Sequence, residues 1–142
     1  MTATAHHGRC QCGDVTYRIS GPVVAATLCH CRDCRRATGG TNTAWAVFDK
    51  ADVALSGAVA EYESSPGIHW GHCPRCHALV TYRRASRPDH LDITTATLDD
   101  PDAFPPAVEI WVTEKIGWET LHPDLPKRDR SSLNEPDGGK DN

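Results

Sequence analysis

The chain has 142 residues, a formal net charge of −4 and a hydrophobic fraction of 39%. This length predicts one domain, and the acidic balance argues against nucleic acid as a partner. No apolar stretch reaches the ~18 residues of a membrane-spanning helix, and the first eight residues lack the apolar core of a secretory signal. We therefore expect a cytoplasmic protein with reduced thiols and no membrane contact.

Short segments of alternating or β-branched residues, separated by turn residues, dominate the chain and predict strands. In chain order the strands are predicted at 15–19, 23–29, 44–48, 53–55, 59–63, 68–72, 78–82, 91–95 and 108–112. The fourth and fifth flank Gly57 and are predicted to form a hairpin. One short helix is predicted at about residues 32–37. The predicted fold class is mostly β, a single domain of short antiparallel strands arranged as a zinc-stapled β-sandwich or folded sheets.

The ends of the chain differ in composition from its centre. Residues 1–7 are predicted to form a flexible N-terminal arm, and residues 8–126 the folded, metal-binding domain. Within that domain, prolines predict a rigid loop over 99–106. Residues 127–142 are nearly devoid of apolar side chains, which predicts a disordered C-terminal tail.

All the cysteines fall into three short motifs, a Cys-x-Cys, a Cys-x-Cys-x-x-Cys and a Cys-x-x-Cys. They are Cys10, Cys12, Cys29, Cys31, Cys34, Cys73 and Cys76. Spacings this short allow one tetrahedral metal to collect several thiolates. Disulfides are disfavoured because bridges between cysteines two positions apart are strongly strained. A redox dithiol is disfavoured at the last pair, which precedes a predicted strand rather than a helix.

Seven thiols are one short of two closed four-ligand sites. The simplest partition joins the two pairs that lack a third member in a structural four-cysteine site, formed by Cys10, Cys12, Cys73 and Cys76. Gly13 suits the positive φ that the first turn requires. His77 stands where the second turn most often has glycine, a position that histidine tolerates better than most residues.

Cys29, Cys31 and Cys34 then form a three-cysteine group between a strand and a helix. In one interpretation a histidine closes the fourth position; the candidates are His30, His69, His72 and His77. In the other, the position is open and accepts a thiol substrate, which loses its proton on coordination. Three neighbouring arginines either bind carboxylates of an anionic substrate or form solvated surface; they are Arg32, Arg35 and Arg36.

Three sequence stretches together resemble the family of glutathione-dependent formaldehyde-activating enzymes and centromere protein V. They are Gly8-Arg9-Cys10-Gln11-Cys12-Gly13, Cys29-His30-Cys31-Arg32-Asp33-Cys34-Arg35 and Cys73-Pro74-Arg75-Cys76. The resemblance covers about residues 8–126, with His77 as its departure from the family pattern. It implies a mostly β fold, a structural zinc bound by Cys10, Cys12, Cys73 and Cys76, and a catalytic zinc with an open position bound by Cys29, Cys31 and Cys34.

The resemblance further implies a zinc-dependent carbon–sulfur lyase with two zinc ions per chain. Its reaction would condense glutathione with formaldehyde to S-hydroxymethylglutathione, or reverse that step. The alternatives are a non-catalytic zinc-binding interaction module and a redox-sensing thiol protein. Among the tryptophans, Trp45 and Trp111 are predicted to pack in the core, and Trp118 to line a substrate pocket.

Overall fold

The computed structural model describes residues 4–130, which form ten short strands, one α-helix and four 3-10 turns. The strands are β1 (His6–Arg9), β2 (Thr16–Ile19), β3 (Val23–Cys29), β4 (Thr43–Asp49), β5 (Val53–Ser56), β6 (Ala60–Ser65), β7 (Ile68–His72), β8 (Leu79–Arg84), β9 (His90–Thr94) and β10 (Val108–Ile110). The helix α1 spans Arg32–Thr38, where a helix was predicted. The predicted mostly β fold is confirmed.

The strands form two sheets. The small sheet has the order β1-β2-β5 and is antiparallel. The large sheet has the order β10-β3-β4-β9-β8-β7-β6, and its pairs are antiparallel except for β10 beside β3, which is parallel. Parallel strands cannot be joined by a tight hairpin and need a long connection. Here the connection from β3 to β10 runs through all the other strands of the large sheet before β10 pairs at its edge.

Apolar side chains collect on both faces of the large sheet. Trp45 and Ala46 are adjacent on β4 but belong to different buried clusters, as the alternation of side chains along a strand requires. The cluster that contains Ala46 also takes in Tyr17 and Ile19 of the small sheet, so it is the core between the two sheets. The cluster around Trp45 contains Trp70 and the cysteines of the α1 region.

The hairpin predicted around Gly57 does not form. β5 pairs with β2 in the small sheet, whereas β6 pairs with β7 in the large one. Gly57 has φ 93°, and a Cβ at this position would lie 2.1 Å from the carbonyl oxygen of Asp14. The residue that indicated a hairpin turn instead lets the chain cross between sheets where only glycine fits.

The folded part extends beyond both predicted boundaries. His6 and His7, predicted within the flexible arm, belong to β1 and pair with β2. Residues 127–130, predicted within the tail, run beside β10, where the Arg128 N–H donates to the Glu109 carbonyl at 2.9 Å. The rest of the predicted tail, residues 131–142, lies outside the described residues. Within the described part of the chain, no helix has the length and apolar character needed to cross a bilayer.

Candidate metal centres

Four cysteines from two distant turns converge beside the core between the sheets. Cys10 and Cys12 follow β1, and Cys73 and Cys76 follow β7. Their four sulfurs all lie within 4.8 Å of one another, and Cys12 Sγ is 3.7 Å from both Cys10 Sγ and Cys73 Sγ. Thiolates around a tetrahedral zinc with bonds of about 2.3 Å are separated by about 3.8 Å. The group therefore has the dimensions of a zinc site.

Backbone N–H groups point at the sulfurs of this four-cysteine group. The Val15 N–H donates to Cys10 Sγ at 3.3 Å, and the Arg75 and Cys76 N–H groups donate to Cys73 Sγ at 3.3 and 3.4 Å. Hydrogen bonds from N–H groups stabilise thiolates more than thiols. The turns are therefore arranged to receive charged sulfurs.

The thiols of the group differ in acidity. The backbone N–H of Ala78 and then that of Cys12 lower the pKa of Cys76 to about 6. Burial raises the pKa of Cys10, but the Val15 N–H and neighbouring groups outweigh it and bring the pKa below its usual value. The Asp14 N–H lowers the pKa of Cys12, but burial and the surrounding thiols raise it to about 11. A cation bound between the sulfurs would remove the proton from Cys12 as well, because a coordinating thiol is deprotonated outright.

The two turns share a left-handed residue after the second cysteine. Gly13 has φ 87° and follows Cys12, and His77 has φ 65° and follows Cys76. Each directs its N–H back to the first cysteine of its turn, Gly13 to the Cys10 carbonyl at 3.2 Å and His77 to the Cys73 carbonyl at 2.9 Å. His77 thus adopts the conformation that favours glycine.

The second group is formed by Cys29, Cys31 and Cys34, whose sulfurs also lie within 4.8 Å of one another. Cys29 ends β3, Cys31 caps α1, and Cys34 is the buried residue of that helix. Cys31 Sγ accepts the Cys34 N–H at 3.2 Å, and Cys34 Sγ lies 3.4 Å from Cys29 Sγ. The strand end and the first helical turn therefore fix three sulfurs in one place.

An apolar shell surrounds the three-cysteine group. Trp45, Trp70 and Ile110 belong to the same buried cluster as the three cysteines, and the Trp45 indole N–H donates to Cys34 Sγ at 3.4 Å. Hydrogen bonds with Cys31 and Cys34, followed by burial, raise the pKa of Cys29 well above its usual value. Close thiols in an apolar shell resist ionisation, so this group too needs a cation to become three thiolates.

The described residues include every histidine of the chain, and none places a ring nitrogen within 4.8 Å of all three sulfurs. His30 directs Nε2 to Glu109 Oε1 at 2.8 Å. His69 Nε2 lies 3.3 Å from Glu63 Oε2, and the rings of His72 and His77 stack on each other at 6.3 Å. The histidine candidates for a fourth ligand are therefore directed elsewhere.

A cleft of about 380 Å³ lies between α1, β6, β7 and the turn that contains His77. Its walls are Asp33, Arg36, Ala37, Tyr62, Ser64, Trp70, His72, His77 and Leu79. Trp70 is a member of the buried cluster that contains the three cysteines, and Leu79 packs against this cluster, so the cleft borders it. The wall offers aromatic faces, a guanidinium and a carboxylate, a combination suited to a small polar ligand with an apolar part.

The tryptophans whose positions were predicted from the sequence differ in burial. Trp45 is buried, as predicted, and Trp111 packs half-buried against the three-cysteine cluster. Trp118, predicted to line a pocket, is 73% exposed and does not line the cleft. Trp70 and Tyr62 line it instead. Of the three flanking arginines, Arg36 is the one in the cleft wall.

Two sheets of short strands carrying a four-thiol and a three-thiol group define a β-protein with two candidate metal centres. The sequence profile described as "Glutathione-dependent formaldehyde-activating enzyme" matches residues 5–114. The chain therefore belongs to the family of glutathione-dependent formaldehyde-activating enzymes.

A solved structure has a similar fold. A crystal structure of a Rhodobacter sphaeroides protein, a structural genomics target, is 24% identical, with a TM-score of 0.55. The similarity covers 66% of this chain and 87% of that one. No curated protein matches the chain at a significant level.

Proposed function

We propose that this protein is a zinc-dependent carbon–sulfur lyase that forms or cleaves a thiol–carbonyl adduct such as S-hydroxymethylglutathione. The observation that carries the proposal is the three-cysteine group, which has zinc-like dimensions but no fourth cysteine or histidine among residues 4–130. Family membership supports formaldehyde as the carbonyl partner and glutathione as the thiol.

The two groups have different roles in this proposal. Cys10, Cys12, Cys73 and Cys76 would hold a structural zinc in a closed site. Cys29, Cys31 and Cys34 would hold the catalytic zinc, which supplies a positive charge that lowers the pKa of a coordinated thiol. In the synthetic direction, the thiol sulfur bonds to the formaldehyde carbon, and the thiol proton ends on the former carbonyl oxygen.

The protein residues around the group would hold and orient the substrate. Trp45 donates its indole N–H to Cys34 Sγ and so withdraws charge from an electron-rich ligand set. The apolar shell limits the access of water to the group. In the cleft, Arg36 would pair with a carboxylate of the thiol substrate, while Tyr62 and Trp70 pack against its backbone.

Cobalt substitution tests whether the three-cysteine centre is open. The protein loaded with two Co²⁺ ions is titrated with glutathione, and the d–d and sulfur-to-cobalt bands are recorded. We expect the spectrum of one ion to change with saturation and that of the other to stay constant. If the spectra of both ions stay unchanged when glutathione is added, the result would contradict the proposal and favour a non-catalytic zinc-binding interaction module.

Exchange NMR with isotopically labelled formaldehyde and glutathione tests the reaction itself. We expect the wild-type protein to accelerate interconversion of formaldehyde and its glutathione adduct. Cys31→Ser removes a ligand of the proposed catalytic site and should abolish the acceleration while the protein remains folded. Ala54→Ser, at an exposed position of β5 outside both cysteine groups, is the control for adding a hydroxyl and should retain full acceleration.

A further inference from the structure

A fully buried carboxylate lies behind the three-cysteine group. Glu109 is the middle residue of β10 and has 0% of its surface exposed, as does His30. Glu109 Oε1 is 2.8 Å from His30 Nε2. A carboxylate accepts hydrogen bonds, so the ring N–H of His30 is the donor. Burying a charged carboxylate is costly unless it is hydrogen-bonded, so this contact needs a physical explanation.

His30 connects the carboxylate to the ligand turn. It stands between Cys29 and Cys31, and side chains along an extended backbone alternate in direction. The two cysteines therefore face the metal side while His30 faces Glu109. The backbone N–H of His30 donates to the Ile110 carbonyl at 3.0 Å. Nδ1 of His30 has no partner among the described residues, so the Glu109 contact is the ring's one hydrogen bond there.

Glu109 is itself held from the other side by the strap, which we define as residues 122–128. Its Oε2 accepts the His122 N–H at 2.8 Å and lies 3.7 Å from Lys127 Nζ. Its backbone N–H donates to the Pro126 carbonyl at 2.9 Å, and its carbonyl accepts the Arg128 N–H at 2.9 Å. β10 and the strap thus hold the carboxylate in position independently of its contact with His30.

We propose that Glu109 is a positioning residue of the three-cysteine centre, acting through His30 to hold the Cys29–Cys31 turn in its metal-binding conformation. The inference rests on the proposed function only in requiring that the three cysteines bind a metal. The four-cysteine group has no contact with Glu109 or His30 among the hydrogen bonds that hold its turns. It is therefore an internal reference in the same chain.

A matched pair at position 30 isolates the hydrogen bond. Gln places its amide N–H close to the position of the histidine Nε2, so His30→Gln retains a donor for Glu109. Asn places its amide near Nδ1, so His30→Asn does not reach the carboxylate. Glu109→Gln leaves one acceptor oxygen for two donors, the His30 ring and the His122 N–H, and turns an N–H donor towards one of them, so it breaks one of the two contacts that hold the side chain. Asp92→Asn is the control for loss of a buried paired carboxylate, because Asp92 lies on β9 and pairs with Arg87 at 3.1 Å.

The readout is cadmium NMR of protein loaded with two Cd²⁺ ions, together with the rate at which each ion passes to a chelator. For His30→Asn and Glu109→Gln we expect the three-cysteine signal to shift and its release to accelerate by about 10–100-fold. The four-cysteine signal should stay constant, and His30→Gln and Asp92→Asn should resemble the wild type.

Several results would overturn the proposal. One is unchanged release in both His30→Asn and Glu109→Gln; another is an equal change at both sites, which indicates a general structural role. A His30→Gln variant as impaired as His30→Asn would exclude the hydrogen bond as the cause. If Glu109→Gln does not fold, the comparison of His30→Gln with His30→Asn tests the proposal by itself. Unfolding of His30→Asn would also count against the proposal. A wild-type protein that binds one Cd²⁺ ion would instead contradict the proposed function.

Discussion

His77 combines a conformational cost with a position in the cleft wall. Its φ of 65° is left-handed, which costs about 1–2 kcal/mol in a residue with a Cβ. Glycine avoids that cost but loses more entropy on folding. We therefore expect His77→Gly to raise the free energy of unfolding by about 0.5–1 kcal/mol, as measured by urea denaturation of the zinc-loaded protein.

The companion variant His77→Ala separates the backbone from the ring. Alanine keeps the left-handed cost and loses the stacking on His72, so its stability should not exceed that of the wild type. Both variants remove a side chain from the cleft and should raise KM for the thiol. A less stable His77→Gly would show that the ring contact outweighs the strain.

Trp45 donates a side-chain hydrogen bond to a sulfur of the three-cysteine group. Trp45→Phe removes the N–H that reaches Cys34 Sγ while it retains a ring to pack against Trp70 and Tyr82. Loss of this bond raises the energy of the sulfur lone pair. We expect the sulfur-to-cobalt band to move to longer wavelength and stability to fall by about 1–2 kcal/mol. An unmoved band would mean that the hydrogen bond does not affect the ligand.

Individual elements were predicted well because their signals are local. Alternation located most strands, and a helix was predicted at α1 just after Cys31. The pairing of strands that are distant in sequence was not predicted. β5 and β6 are neighbours in sequence but lie in different sheets, and β10 pairs in parallel with β3. Glu109 was missed for the same reason. On an alternating strand it resembles a solvent-facing residue, and only the strap and His30 show that its face is buried.

The last strands of the large sheet are joined by an ion pair across β7. Arg83 on β8 donates Nε and Nη2 to the two carboxylate oxygens of Glu61 on β6, each at 2.7 Å. Arg83 holds the pKa of Glu61 below its usual value. A depressed folded-state pKa contributes stability above the unfolded-state pKa, and that contribution is lost as the pH falls through the folded-state value.

Glu61→Gln should therefore destabilise the protein at neutral pH and have little effect in acid. Because the pair is about one-third exposed, the expected loss is about 0.5 kcal/mol at about pH 7. It decreases below the usual glutamate pKa of about 4.3 and vanishes once the pH is below the depressed pKa of folded Glu61. Urea denaturation at several pH values measures the difference, and a cycle with Arg83→Met isolates the pair. A loss that persists unchanged in acid would assign it to packing.

At the scale of the whole molecule, the two cysteine groups lie in different buried clusters and connect different lengths of chain. The buried Cys10 and Cys73 belong to the core between the sheets, whereas Cys29, Cys31 and Cys34 belong to the cluster around Trp45. The four-cysteine group joins the turn after β1 to the turn after β7, with Cys12 and Cys73 separated by 61 positions. The three-cysteine group lies within six consecutive residues. The first therefore closes a long loop, and the second constrains only a local turn.

This difference predicts that losing a ligand has unequal consequences at the two centres. Structural zinc contributes an apparent ~10–16 kcal/mol in small domains, as much as the ~5–15 kcal/mol of a whole domain's stability. We expect Cys73→Ser, which breaks the long-range centre, to abolish cooperative unfolding and near-UV circular dichroism. Cys31→Ser should stay folded with one zinc per chain, measured by native mass spectrometry. A cooperative Cys73→Ser protein would show that the fold does not need the long-range centre, and an unfolded Cys31→Ser protein would show that it needs the local one; either result would contradict the roles assigned to the two centres.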